Sequence, residues 1–429
     1  MLSKFKLKNG IEVLTIPYRG TSAATVLVLV KVGSRYEQYK TLGLSHYLEH
    51  MMFKGTERRP NTLDIAKELD GVGAEYNAFT AKDHTGYYVK VASEHVALAL
   101  DMESDVLFHS LHRAEEVQRE RTVIIEELNM YEDNPMMIAE EIFEELLFKG
   151  NSLGWKIGGT KQTVSSVTRK DIVAHWQQWY HPKNIVVVLA GRYSADDVRV
   201  LKEKFGSQNA EVRSQKSEVR KWMPWKARPV RSAQVTLQFK ETEQAQIVMG
   251  VPAFRLTDKR NPALAVLSTL WGGNMSSRLF SAVRERRGLA YFIRAGGAAY
   301  EDAGALTVQA GLQKERLHEG LKVIRQEMSN LWEDAVSEDE VKRSQEYIAG
   351  KLALDFEDSA TIAEWYGRQY LLTGELKTPE EKLKKIRAVR PREVIALAKH
   401  LFSKVPLRLI VIGPYKNPEP FRKLLGGNI

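Results

Sequence analysis

The chain has 429 residues, no cysteine and a formal net charge of +9. This length exceeds what one hydrophobic core usually serves, so it predicts two domains or three. Hydrophobic residues make up 43% of the chain and charged residues 27%, which is the mix of a soluble globular protein. The absence of cysteine excludes disulfides, thiolate zinc sites and cysteine nucleophiles, so any bound metal needs histidine and carboxylate ligands.

Charge and hydropathy also limit the partners and the location. No apolar run approaches the ~20 residues of a membrane-spanning helix, and the N-terminus lacks the apolar core of a secretory signal. We therefore expect no membrane partner and a cytoplasmic location, with an organellar matrix as the alternative. The basic residues are scattered among 54 acidic ones, and the one basic cluster, 213–231, is more typical of a solvated linker. The sequence accordingly predicts no nucleic-acid partner.

The first half of the chain is predicted to run from strands to helices and back to a strand. β-branched residues predict strands over residues 11–17, 23–32 and 85–91. Helical spacing and caps predict helices over residues 42–54, 63–71, 93–109 and 114–133. Ser93 is the predicted N-cap of the third helix, and Pro135 follows the end of the fourth.

The two halves of the chain repeat each other. A helix that leads through Pro182 into a strand at 185–190 recurs as a helix that leads through Pro406 into a strand at 407–412. The fold class predicted is α+β, with two homologous domains duplicated within the chain. Each is a mostly antiparallel sheet with helices packed on it. The predicted domains are 1–205 and 233–429, joined by a polar, basic linker at 206–232.

One short motif indicates a metal site. His46 and His50 lie four residues apart on a predicted helix, so both imidazoles occupy one face, and Glu49 lies beside them. Two histidines and a nearby carboxylate suit zinc, and this H-x-x-E-H order is the inverse of the commoner zinc-protease motif. The alternative is a surface helix that holds two histidines by chance.

A zinc site of this type needs a third protein ligand and an open position. The helix 114–133 offers Glu120 and Glu127, which are seven residues apart and therefore share a face. Glutamate-rich helices usually present their carboxylates to water, so the residues alone leave this role open.

Together these motifs resemble the pitrilysin-type zinc metallopeptidases (family M16), the inverzincins, over nearly the whole chain. In that family the third ligand is a glutamate 77 positions after the second motif histidine, where this sequence has Glu127. A supporting glutamate seven residues earlier corresponds to Glu120. The family's substrate strand corresponds to Asn77-Ala78-Phe79-Thr80, and its Arg and Tyr seven residues apart correspond to Arg284 and Tyr291.

The resemblance implies a zinc-dependent endopeptidase with one zinc ion per chain, held by His46, His50 and Glu127. The repeat places Ser344 and Lys351 opposite the two glutamates of the helix 114–133. A lysine ammonium has no lone pair for a metal, so only the first domain should bind zinc.

The mechanism implied has Glu49 as the base that takes a proton from a water on the zinc. Arg284 and Tyr291 would hold the substrate and the developing oxyanion. The strand segment at Asn77, Ala78 and Phe79 would pair with an extended or unfolded peptide.

Assembly and an alternative function also follow from the resemblance. The zinc ligands lie in one predicted domain, and Arg284 and Tyr291 lie in the other. We expect a homodimer in which each chain completes its partner's site, and a heterodimer with a related subunit is also possible. The alternative function is a non-catalytic structural or substrate-recognition subunit of the same fold, although such subunits typically lose part of H-x-x-E-H or the third ligand.

Overall fold

The computed structural model describes residues 2–207, 222–226 and 232–426. The chain divides into two compact units. The first contains Met1–Asn129, Trp155–Met223 and Ala353–Lys377, and the second contains Met130–Gly154, Pro224–Leu352 and Thr378–Ile429. The predicted linker lies outside the described residues except at 206–207, 222–226 and 232.

The strands and helices cover most of the described chain. The strands are β1 (Ser3–Lys6), β2 (Glu12–Pro17), β3 (Ala23–Val30), β4 (Glu75–Thr80), β5 (Thr85–Ala92), β6 (Ile185–Gly191), β7 (Gln234–Phe239), β8 (Gln244–Pro252), β9 (Ala290–Ala299), β10 (Gly304–Gln313) and β11 (Arg408–Gly413). The helices are α1 (Leu44–Met52), α2 (Thr62–Asp70), α3 (Val96–His109), α4 (Ala114–Asp133), α5 (Pro135–Leu147), α6 (Lys161–Ser166), α7 (Arg169–Trp179), α8 (Ala195–Gly206), α9 (Asn261–Ser268), α10 (Leu317–Glu333), α11 (Glu338–Asp355), α12 (Ser359–Thr373), α13 (Pro379–Arg387), α14 (Pro391–Lys404) and α15 (Glu419–Gly426).

The two sheets share one topology. The first has the order β1-β2-β6-β3-β5-β4, and the second has the order β7-β11-β8-β10-β9. In each sheet one pair is parallel, β2 with β6 and β7 with β11, and the other pairs are antiparallel. Apart from the extra strand β1, the second sheet repeats the first. The predicted duplicated α+β fold is confirmed.

In the first unit both faces of the sheet are covered. On one face, alternate residues of β3 such as Val26 and Val28 join the core that contains α1 and α3. On the other face, Leu27 and Leu29 pack with residues of α12, including Ile362. Covering both faces explains why β3 is a nearly continuous apolar run rather than an alternating one.

The second unit is built in the same way. One face of its sheet packs on α10 and α14 through residues such as Ile247 and Met249. The other face, with Val248 and Ile410, packs on α5 through Phe143. Helix α12 thus belongs to the first unit, and α5, from the first half of the sequence, belongs to the second. This exchange is a difference from the continuous ranges that the sequence predicts, and it occurs because each sheet buries its second face under a helix from the other half of the sequence.

One local prediction needs correction. Ser93 does not cap α3, since residues Ser93–His95 form a 3₁₀ turn and the helix begins at Val96 without a side-chain cap.

Among the described helices none combines the length and the apolarity needed to cross a bilayer. The predicted cytoplasmic location stays a prediction.

Candidate metal centre

Helix α1 separates its core residues from its chemically active ones. Tyr47, Leu48 and Met51 are fully buried in the core of the first unit. His46 and His50 occupy the opposite, partly exposed face, with ring centroids 4.7 Å apart. The four-residue spacing therefore places two imidazoles side by side, as the sequence predicts.

Helix α4 adds a carboxylate to this pair. Glu127 Oε1 lies 3.7 Å from His46 Nε2, and Glu127 Oε2 lies 3.3 Å from His50 Nε2. One ligand atom from each of the three residues lies within 4.8 Å of the others, and no other group of three His, Cys, Asp or Glu side chains in the described part of the chain has this arrangement. Ligand atoms about 2.0–2.1 Å from a tetrahedral zinc ion lie roughly 3.3 Å apart, so this cluster fits zinc.

Glu120 supports the cluster from behind. Its Oε2 accepts a hydrogen bond from His50 Nδ1 at 3.1 Å, and its Oε1 lies 2.7 Å from Lys54 Nζ. Burial raises the pKa of Glu120, but its bonds to His50 and Lys54 outweigh burial and hold that pKa below its usual value. The ionised carboxylate fixes the orientation of the His50 ring with Nε2 toward the cluster, and once His50 is neutral that nitrogen presents its lone pair there. The sequence pattern did not indicate that Lys54 contacts this cluster.

The pKa values of the two histidines are shifted in opposite directions. Burial and the neighbouring His50 lower the pKa of His46 well below its usual value. Burial also lowers the pKa of His50, but hydrogen bonds to Glu120 and Glu127 outweigh it and raise that pKa to about 9. His46 is therefore ready to bind a metal at neutral pH, whereas His50 must first lose a proton.

Glu49 is held by the edge strand of the sheet. Thr80, the last residue of β4, donates a hydrogen bond from Oγ1 to Glu49 Oε2 at 2.5 Å. Burial raises the pKa of Glu49, which moves it toward the range in which a carboxylate acts as a base near neutral pH. Thr80 belongs to the substrate-strand motif, but the sequence analysis gave it no role.

The predicted substrate strand lies at the edge of the first sheet. In the described structure β4 pairs only with β5, so its other edge is open. Asn77 is exposed, and its Oδ1 accepts a hydrogen bond from the Ala78 N–H at 2.9 Å. Ala78 and Phe79 are half-buried. Their predicted role in binding substrate stays a prediction.

Arg284 and Tyr291 lie together in the second unit. Arg284 belongs to a π-helical segment, Phe280–Glu285, and its guanidinium carbon lies 5.3 Å from the centroid of the Tyr291 ring. Tyr291 is 73% exposed, so its ring faces solvent. Ser344 and Lys351 lie on α11 of the same unit, where Ser344 donates to the Glu340 carbonyl.

The raised pKa of His50 leads to a prediction of how zinc affinity depends on pH. Because zinc and a proton compete for His50, the apparent zinc affinity should rise roughly tenfold per pH unit between pH 7 and 9 and level off above about pH 9. Competition titration with a chelator of known protonation constants measures this slope. Zinc affinity that does not change over this interval would show that His50 is not a ligand or is not protonated there.

Comparisons with known proteins agree with this geometry. Residues 12–161 match the family model described as Insulinase (Peptidase family M16), and residues 166–348 match Peptidase M16 inactive domain. An "Uncharacterized zinc protease" of Streptomyces coelicolor is 36% identical over 97% of this chain and 90% of its own length. The "Uncharacterized zinc protease YmxG" of Bacillus subtilis is 32% identical over 97% of this chain and 99% of its own length.

Solved structures share the fold at lower identity. A protease from Helicobacter pylori superposes with a TM-score of 0.89 at 22% identity, covering 96% of this chain and 99% of that one. A chain of complex III2 from Candida albicans superposes with a TM-score of 0.80 at 16% identity, covering 99% of this chain and 100% of that one. Zinc is the cofactor that the named relatives and the His-His-Glu cluster indicate together. The chain belongs to peptidase family M16.

Proposed function

We propose that the chain is a zinc-dependent endopeptidase that hydrolyses extended or unfolded peptides. His46, His50 and Glu127 would hold the zinc ion, and Glu49 would act as the general base. The observation that carries this proposal is the convergence of three ligand atoms within 4.8 Å beside a carboxylate that is anchored to the sheet edge.

The chain's own residues account for proton transfer. When bound, zinc supplies Lewis acidity to the attacking water and to the scissile carbonyl. Glu49 accepts the water proton and later delivers it to the leaving amine, a role worth about 10²–10⁴-fold in rate. Its raised pKa suits both steps, because a stronger base takes the proton more readily and a protonated carboxyl can donate it again. Thr80 holds one oxygen of Glu49 and leaves the other free for the proton.

The open edge of β4 supports the choice of substrate. A peptide that adds to this edge uses its main-chain N–H and C=O groups, so it must be extended and free of its own secondary structure. Glu49 is bonded to Thr80 at the end of the same strand, which places the base next to a peptide bound there. Main-chain hydrogen bonds depend little on the side chains of the peptide, so we expect the enzyme to discriminate weakly between peptide sequences.

Arg284 and Tyr291 support a proposal about assembly. Both side chains lie in the second unit, and Tyr291 presents its ring to solvent. We propose a dimer in which this pair from one chain binds substrate at the zinc cluster of its partner, with a homodimer as the simplest form. A guanidinium and a phenol are donors suited to a peptide carbonyl that gains negative charge.

The non-catalytic alternative is less well supported. A structural or recognition subunit has no need to keep a zinc ligand set, a supporting glutamate and a base anchored by a threonine. This chain has the residues proposed for all of these roles, and their side chains lie close together, which supports the enzyme function. The fold shared with a complex III2 chain does not distinguish the two functions, since fold alone does not determine activity.

Two substitutions separate the base from the ligands. Glu49→Gln should keep zinc and lower kcat by about 10²–10⁴-fold, because the amide cannot accept the proton. Glu127→Gln should lose zinc, whereas Glu126→Gln should behave like the wild type, because the neighbouring Glu126 is exposed and outside the cluster. Metal analysis and hydrolysis of an unstructured peptide measure both effects. Loss of zinc from Glu49→Gln, or its retention in Glu127→Gln, would show that the roles are assigned wrongly.

Mixed dimers test the shared site. Glu49→Gln chains and Tyr291→Phe chains should each be inactive alone, but a mixed dimer holds one site with both residues intact. We therefore expect activity to return in part when the two variants are mixed and allowed to exchange. Mixing Glu49→Gln with more Glu49→Gln is the control. Confirmed mixed dimers without activity, or full turnover by a strict monomer, would rule out the shared site.

A further inference from the structure

Helix α1 carries both histidines and Glu49, yet it has no side-chain cap of its own. The residue before it is Gly43, which adopts φ +88° and supplies no capping oxygen. The first N–H groups of a helix lack partners within the helix, and they carry the positive end of its dipole. Some other group must satisfy them, because the start of α1 is buried.

Glu37 supplies that cap from outside the helix. Its Oε2 accepts a hydrogen bond from the Gly43 N–H at 2.8 Å, and its Oε1 accepts one from the Ser45 N–H at 2.7 Å. Only 8% of Glu37 is exposed. Both oxygens of a buried carboxylate are thus bonded to backbone donors that lie immediately before His46, and bonds of this charge-assisted kind are the stronger ones.

The segment that carries Glu37 is fixed at its other end to the substrate strand. The N–H groups of Ser34 and Arg35 donate to the carbonyls of Ala81 and Lys82, just after β4. Gly33 lies so close that a Cβ there would be 2.2 Å from the Ala81 oxygen. Residues 33–37 therefore join the end of β4 to the start of α1.

The start of α1 is also confined on its other sides. A Cβ on Gly43 would lie 2.4 Å from the Gly158 carbonyl oxygen, so this turn packs directly on backbone. Ser45 Oγ lies 3.2 Å from Nε2 of His175, a buried histidine on α7. The first turn of α1 is thus held between Glu37 and these contacts. Loss of the Glu37 bonds would leave the other contacts unopposed, so we expect the turn to shift or rotate.

We propose that Glu37 is a positioning residue that sets the placement of α1, and with it His46, His50 and Glu49, relative to the edge strand β4. The inference rests on the proposed function, since it concerns the same zinc site. The hydrogen bonds of Glu37 go to the backbone N–H groups of Gly43 and Ser45, so it acts on the site through that backbone. The positive charge of Lys82 also lowers the pKa of Glu37, although burial outweighs this effect.

The test replaces the carboxylate by an amide. Glu37→Gln leaves an N–H₂ group facing backbone N–H donors, so one of the two bonds is lost. Glu103→Gln is the matched control, because Glu103 is also a fully buried carboxyl in the first unit, and neither of its oxygens has a hydrogen-bond partner among the described residues. Work at pH 8 keeps Glu37 mainly ionised, since burial raises its pKa only to about 7.

The readouts are zinc affinity by chelator competition, the visible d–d spectrum of the cobalt(II)-loaded protein, and the separate values of kcat and KM. Glu37→Gln should weaken zinc binding by about 10–100-fold, the usual effect of losing a residue that orients metal ligands. It should also shift the cobalt bands and lower kcat more than it raises KM. Glu103→Gln should keep the wild-type cobalt spectrum and zinc affinity.

Each outcome is decisive. A Glu37→Gln protein with wild-type cobalt spectrum and zinc affinity overturns the proposal, even if its thermal midpoint falls. If Glu37→Gln does not fold, Glu37→Asp keeps the charge but reaches only one N–H, and it should show the same changes to a smaller extent. An unchanged cobalt spectrum in Glu37→Asp then overturns the proposal. A wild-type chain that binds neither zinc nor cobalt overturns both this inference and the proposed function.

Discussion

The packing of α1 against α4 is the contact on which the candidate metal centre depends. His46 and His50 come from α1, and Glu120 and Glu127 come from α4, so no ligand set exists unless these helices are held side by side. Tyr47 of α1 donates a hydrogen bond to the Val117 carbonyl of α4, and Val117 and Ile124 are buried beside it. The apolar faces of both helices thus hold the polar faces in register, with the ligand atoms a few ångströms apart.

The charges in this cluster balance only when a cation is present between the carboxylates. Glu120 and Glu127 both contact His50, and together they raise its pKa to about 9. A proton on His50 or a metal ion can supply the positive charge, and the two compete for one nitrogen. Lys54 neutralises the far side of Glu120, which helps this glutamate to stay ionised. The site therefore tolerates two neighbouring carboxylates, because Lys54 and the proton or metal ion at His50 both supply positive charge beside them.

The sequence predicted the parts of the site that depend on spacing. The four-residue interval between His46 and His50 and the two-turn interval between Glu120 and Glu127 each follow from helix periodicity. Their meeting does not, because it depends on the tertiary contact between the helices, and it was expected only from the resemblance to a family. The cap from Glu37 and the bond from Thr80 were missed for the same reason: neither has a periodic signal, and both join segments that are distant along the chain.

The exchange of helices between the two halves could also not be predicted from the sequence. The apolar pattern of α12 predicts that one face is buried, but it does not say which sheet covers it, and the same holds for α5. Duplication explains the ambiguity, since two sheets of one topology offer similar faces to a helix. The ligand set is not repeated: among the described residues it occurs in the first unit alone.

The central claim, that this chain cleaves peptides with a single zinc ion in its first unit, is tested most directly by metal analysis combined with peptide hydrolysis. Zinc per chain and turnover of an unstructured peptide are measured on the purified protein, after complete chelation, and after zinc is restored. We expect about one zinc per chain, loss of turnover when the metal is removed, and recovery of both together. Turnover that persists in protein shown to be free of metal, or two tightly bound zinc ions per chain, would contradict it.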